Sequence, residues 1–185
     1  AVSLKDVEAA LADWAGRGPL LVSLNPNSLE DVWADIQRVA DALDHPGRGA
    51  ELVLRLKSRM SELAGRAAAP SSKPSVACIE WMDPLMASGN WMPELVSMAG
   101  GRNLFGAAGR HAPGLDWEAV LEADPDLLLL LPCGWDLKRI RRELPVMEAR
   151  PGWRDLKAVR EKRSYLLDGN QYFNRPGPRL LESLE

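Results

Sequence analysis

The chain has 185 residues, a formal net charge of -3, 46% hydrophobic residues and 26% charged ones. That balance is ordinary for a folded chain with enough apolar sequence for one sizeable core, and it excludes a disordered tail, a collagen-like fibre and a disulfide-dense miniprotein. The mild acidity lacks the basic stripe that nucleic-acid binding needs, and no apolar run approaches the roughly 20 residues that cross a bilayer.

Ser3 with Asp6 three residues on is a capping signature, and Leu4, Val7, Leu11 and Trp14 follow at helical spacing until Gly16, Gly18 and Pro19. Leu20 to Leu24 reads as a short strand, closed by the turn Asn25-Pro26-Asn27. Ser28 caps the next helix, with Glu30 and Asp31 in its first turn and Leu29, Val32, Ile36, Val39 and Leu43 as its stripe. Asp44 and Pro46 open a long helix to about Ala67, with Leu52, Val53, Leu56, Met60 and Leu63 inward. Residues 68–74, AAPSSKP, read as a linker. The chain begins at Ala1 rather than Met and stops inside a helical pattern after Arg179, so both ends read as trimmed.

Beyond the linker, strands and helices alternate. Strands are predicted at 76–80, 127–131 and 164–167. Helices are predicted at Pro93 to Met98, from an Asp116 cap through Trp117 to about Ala123, at Leu137 to Leu144, at Arg154 to Val159, and from near Pro178. Crossovers of this length imply a parallel sheet with helices on both faces, an α/β fold. The expected organisation is a helix–strand–helix remnant of one lobe at 1–43, a connector helix at 44–68, and an α/β lobe at 75–185. A lone strand in the first segment cannot make a sheet, which suggests missing sequence ahead of it.

There are 7 Trp against 2 Tyr and 2 Phe. In a parallel α/β sheet, ligands bind beyond the carboxyl ends of the strands. The segments following the three predicted strands hold Trp81, Met82, Asp83 and Trp91; then Cys133, Gly134 and Trp135; then Tyr172, Phe173 and Arg175. Aromatic rings in all three predict an apolar face for a broad, flat ligand, or a surface for homodimer contact. The alternative is that the rings pack back as lids on the sheet. Cys78 and Cys133 read as two buried thiols, a disulfide being open but not indicated. No nucleophile elbow, zincin or phosphate-loop motif occurs, and no acid–base pair stands out, so binding rather than catalysis is expected, with no resident cofactor and no metal site.

The order of the pieces WMDPLMASGNWMPELVSMAGG, LDWEAVLEADPDLLLLLPCG and PGWRDLKAVREKRSYLLDGNQYFNRPGPR resembles the C-terminal lobe of substrate-binding proteins of the vitamin B12 and ferric-siderophore uptake type, which serve ABC importers. The resemblance implies two lobes joined by one long helix, with the ligand between them, and a place outside the cytoplasmic membrane, free or lipid-anchored. It implies an aromatic sandwich for a corrinoid, with Trp81, Met82, Trp91, Trp135, Tyr172 and Phe173 in the matching loops. Arg175 would meet a polar ligand group, Arg179 would be structural, and Glu118 would dock the lobe onto arginines of the permease. Only Arg175 is clearly placed as a cation, which favours cobalamin over an anionic ferric siderophore. Haem is the third candidate, with Tyr172 or His111 as the iron ligand.

Overall fold

A computed structural model describes residues 3–12, 20–67 and 72–185. The predicted positions of Trp14 and of the Gly16, Gly18 and Pro19 helix stop lie outside the described residues, as does most of the predicted linker. Two capping boxes form as the sequence requires. Ser3 and Asp6 cap α1 (Leu4–Leu11), and Ser28 and Asp31 cap α2 (Leu29–Ala42). α1 buries no side chain, so its cap, worth about 1 kcal/mol, is its main support. α2 instead buries Leu29, Val32, Trp33 and Asp35, largely against α3 (Pro46–Ala67), the long helix foreseen from Pro46.

The run Leu20 to Leu24 is not a strand, and residues 20–27 have no regular structure. A strand needs a neighbour to take its N–H and C=O groups, and no strand among the described residues lies beside this one. Leu24 and Pro26 instead line a groove on α2 and α3.

The sheet centres on β1 (Ser75–Met82). It pairs in parallel with β4 (Leu127–Leu130) on one edge, and β4 pairs in parallel with β5 (Ser164–Leu166). The other edge of β1 is shared by β2 (Leu85–Ala87), an antiparallel hairpin partner, and by β3 (Arg102–Asn103), a two-residue parallel pairing. β1 runs two residues beyond the predicted strand at 76–80, and β2 and β3 have no counterpart among the predicted strands. Both are too short to show a period, and their pairing rather than their composition makes them strands.

Alternation along β1 and β4 divides the core. Ala77, Ile79, Leu128 and Leu130 face one layer, made by α5 (Trp117–Ala123), α6 (Leu137–Glu143), α7 (Pro145–Glu148) and α8 (Lys157–Arg160). Val76 and Cys78 face the other, made by α2, α3, α4 (Met92–Met98) and α9 (Leu180–Leu184). The α/β expectation therefore holds, with helices covering both faces. Smaller departures follow local chemistry. Asp116 sits at the N-cap of α5 without a capping hydrogen bond. The helix predicted at Arg154 to Val159 is a 3-10 turn at Trp153–Asp155 followed by α8. Trp153 is buried and stacks on Trp117 at 6.2 Å, and the Trp117 indole donates to the Pro151 carbonyl at 2.7 Å.

The turn into β4 is held by Asp126. Its carboxylate accepts from the Ser75 N–H at 2.7 Å and hydroxyl at 2.8 Å and from the Lys157 ammonium at 2.6 Å. The Lys157 hydrogen bond, then those from Ser75, hold the carboxyl well below its ordinary value of 3.8. A depressed carboxyl stabilises the fold above its unfolded value and loses that contribution as pH falls toward the folded one. Asp126→Asn should therefore cost about 1–2 kcal/mol at neutral pH. The gap to wild type should close as pH drops below 3.8. Urea unfolding at several pH values checks this; a gap independent of pH contradicts it.

Candidate ligand-binding edge

The parallel register brings the carboxyl ends of β1, β4 and β5 to one edge, where Ile79 opposes Leu130 and Leu130 opposes Leu166. The backbone beyond each strand must find new partners, and the three segments find one another. The Leu131 N–H donates to the Ile79 carbonyl at 3.0 Å, the Cys133 N–H to Glu80 at 3.0 Å and the Leu167 N–H to Leu130 at 2.9 Å. Further out, the Asn170 N–H donates to the Trp135 carbonyl at 3.1 Å, and the Asn174 amide to the Leu131 carbonyl at 2.8 Å. Gly169 lies so close to the neighbouring loop that an added Cβ would stand 2.6 Å from the Leu131 carbonyl oxygen. Only a residue without a Cβ allows this approach.

The aromatic residues are arranged differently from the expected open face. Met82, 1% exposed, continues β1 into the core, and Trp91, 6% exposed, fills the opposite layer while its indole donates to the Phe173 carbonyl at 2.8 Å. Trp135 is 8% exposed, and its indole N–H has no partner among the described residues. Trp81 is half-buried, meets Trp135 edge-on at 5.4 Å, and donates to the Asp83 carbonyl at 2.9 Å. Tyr172 and Phe173 are half-buried, Tyr172 beneath the Arg179 guanidinium at 4.7 Å and Phe173 against the α4 layer. Met82 and Trp91 are thus supports for the edge and not part of its surface. Trp91 and Trp135 pack back because each large apolar body fills space between a strand end and a helix, while Trp81, Tyr172 and Phe173 keep part of their surface exposed.

The exposed positions of these segments include Asp83, Cys133, Gly134, Gln171 and Arg175. The buried-thiol expectation fails for Cys133, which is exposed. Burial and then the nearby Glu80 carboxylate push its thiol up, against a smaller downward pull from Arg175. Cys78 is buried, and desolvation pushes it up to about 12. Glu80 is also raised by burial, against smaller downward pulls from the Gly89 backbone and from His111. His111 is exposed, with Nδ1–H donating to the Ala112 carbonyl at 3.1 Å. Among the described residues no group of three His, Cys, Asp or Glu side chains gathers to hold a metal ion.

A set of cations not among the predicted site residues also lies at this edge. A cavity of about 260 Å³ is lined by Gly134, Asp136, Lys138, Arg139, Arg142 and Asn170. A second, of about 610 Å³, includes Asn170, Gln171, Arg175 and Arg179, so the two cavities meet at Asn170. The signal was present as DLKRIRRE directly after Trp135, but it resembles a solvated helix face until the packing is known. Arg179 pairs with Glu182 at 3.0 Å, in keeping with a structural role. Glu118 is exposed in the first turn of α5. A separate apolar groove of about 520 Å³ runs between α2 and α3 and shares Pro176, Gly177 and Pro178 with the second polar cavity.

The two cysteines provide a check on this geometry. One thiol per native chain should react with a maleimide, and Cys133→Ser should abolish that reaction, Cys78 reacting only after unfolding. Equal rates for both thiols contradict the arrangement.

Residues 17–171 match the family model described as periplasmic binding protein. The chain is 25% identical over 107 residues to a vitamin B12-binding protein of Photorhabdus laumondii, a match covering 57% of this chain and 39% of that one. Its fold is similar to the periplasmic haem-binding protein RhuT of Roseiflexus sp. RS-1 in apo form, at a TM-score of 0.78 and 25% identity over 100% of this chain and 69% of the other. It is also similar to a Staphylococcus epidermidis protein described as a possible iron-binding (periplasmic solute-binding) protein, at a TM-score of 0.77 and 17% identity over 97% of this chain and 67% of the other. The chain spans 39% of the length of the vitamin B12-binding relative. The family model takes in most of the chain, and the helix-covered sheet agrees with it; the protein belongs to the periplasmic binding protein family, whose members are extracytoplasmic solute-binding proteins and not enzymes.

Proposed function

We propose that the chain is part of the solute-binding component of an ABC importer, and that its carboxyl edge forms one wall of a site for a corrinoid such as cobalamin. The observation that carries this reading is the tying together of three strand-end loops into one fixed surface, with Cys133, Gly134, Gln171 and Arg175 outermost. A wall built in advance costs little ordering when a ligand arrives. The vitamin B12-binding relative supports the choice of corrinoid. Among the aromatic residues, Trp81, Tyr172 and Phe173 keep partial exposure for contact, with Trp135 beneath them as support. On this reading α3 connects a first lobe, to which residues 1–43 belong, with a second lobe at 75–185. Glu118 then docks the second lobe onto the permease.

Haem or a ferric siderophore is the second reading. The preference for cobalamin over an anionic chelate rested on Arg175 as the one placed cation. Lys138 and Arg139 line a cavity that adjoins that of Arg175 at Asn170, which supports an anionic ligand.

Titration of the chain with cyanocobalamin, followed by tryptophan fluorescence, tests the proposal. Saturable quenching in the micromolar range or weaker is expected, since one wall covers less of the ligand than the 70–90% typical of closed sites. No quenching by cyanocobalamin, with saturable quenching by haem or a ferric hydroxamate, would replace the corrinoid reading with the second one.

A further inference from the structure

α2 and α3 are tied into the core beside the sheet more firmly than their place in the chain suggests. α2 inserts Leu29, Val32 and Trp33, and α3 inserts Leu56 and Met60, into one cluster with Val76, Trp91 and Leu180. Polar ties point the same way. The Leu29 N–H, at the start of α2, donates to the Glu94 carboxylate of α4 at 2.9 Å. Lys57 pairs with Glu30 at 2.8 Å, and Arg59 pairs with Glu185, just beyond α9, at 3.1 Å. The turn between α2 and α3 is closed by its own backbone. The His45 N–H donates to the Ala40 carbonyl at 2.8 Å, and the Arg48 N–H to the His45 carbonyl at 3.0 Å. Gly49 lies against α2, where an added Cβ would stand 2.5 Å from the Ala40 Cβ. Contacts this close leave the two helices no slack to turn against each other.

Residues 20–27 are built differently. Among the described residues, no backbone N–H of residues 20–25 donates a hydrogen bond. Two side-chain bonds reach the segment, from Arg38 to the Ser23 carbonyl at 3.2 Å and from the Asn27 amide to the Asn25 carbonyl at 3.3 Å. Leu20 and Leu24 are exposed, and α1 buries no side chain. A stretch with few buried contacts and unbonded backbone opens at little cost, whereas elements sharing a core open together. We propose that residues 29–185 form one rigid body, and that residues 20–27 are the hinge on which α1 turns relative to the ligand edge. The long helix is then not a joint. α2, placed by chain order in the proposed first lobe, travels with the second. The hinge also runs close to the ligand edge, since Leu24 and Pro26 line the α2–α3 groove together with Pro176, Gly177 and Pro178, which follow Arg175. Packing alone carries this division, whichever ligand is bound.

Native-state hydrogen exchange of the whole chain in increasing denaturant tests both parts of the proposal. α2, α3, β1 and β4 should share one opening with one denaturant midpoint, while residues 20–25 exchange at rates close to those of an unfolded chain. Glu94→Ala removes the carboxylate that holds the start of α2. It should lower the protection of α2 and of β4 by the same factor, about tenfold. Trp33→Ala should lower both by a common and larger factor; if that variant does not fold, Glu94→Ala decides. Chymotrypsin gives a second reading on the native chain. Cleavage within residues 20–24 should be fast. Cleavage after Leu43 should be slow although that side chain is 64% exposed, because its backbone is released only when the body opens. Loss of protection confined to α2 and α3, with β4 unchanged, overturns the rigid body. Cleavage after Leu43 as fast as that within residues 20–24 overturns the hinge. Both results leave the ligand untouched, which the cyanocobalamin titration decides by itself.

Discussion

The structure depends on how three parallel strands dispose of the backbone beyond their last ladder pairs. A buried N–H or C=O without a partner costs about 1–3 kcal/mol, and among the described residues no further strand lies at the carboxyl edge to supply one. The segments pair with one another instead, from Leu131 with Ile79 out to Asn170 with Trp135. That pairing draws Gly169 against the Leu131 carbonyl, closes Trp91 beneath Phe173, and leaves a surface made of backbone, amides and guanidinium groups. The large rings support this surface from beneath. Their burial contributes to stability by removing apolar area from water, at about 25 cal/mol per Å².

Much of the fold was readable because it rests on local patterns. The capping boxes at Ser3 and Ser28, the stripe that builds α2, the length of α3 and the run Leu127 to Leu130 each carry a period or a cap of their own. β2 and β3 carry neither. They are three and two residues long and exist through their pairing with β1. Leu20 to Leu24 is the converse case, a strand-like composition with no strand among the described residues to pair with.

The segments of the proposed site were legible in the sequence, and the orientation of their side chains was not. Choosing the strand-end segments identified the edge, but composition alone could not show which way an amphipathic ring points. Trp91 and Met82 turn inward, and Cys133 turns out. Arg139 was overlooked because a basic run on a helix usually means a solvated face. Its position over Trp135 is a tertiary fact.

Two concave regions now compete for ligand. One is the polar edge around Asn170; the other is the apolar groove formed by Leu24, Val39, Leu43 and Leu52 between α2 and α3. The account assigns the ligand to the edge, because its loops come from three strands and are fixed before binding. Hydrogen exchange with and without a saturating tetrapyrrole separates the two directly. The account predicts new protection in residues 133–142 and 168–175, with the α2–α3 groove unchanged. Protection confined to residues 24–52 would contradict it.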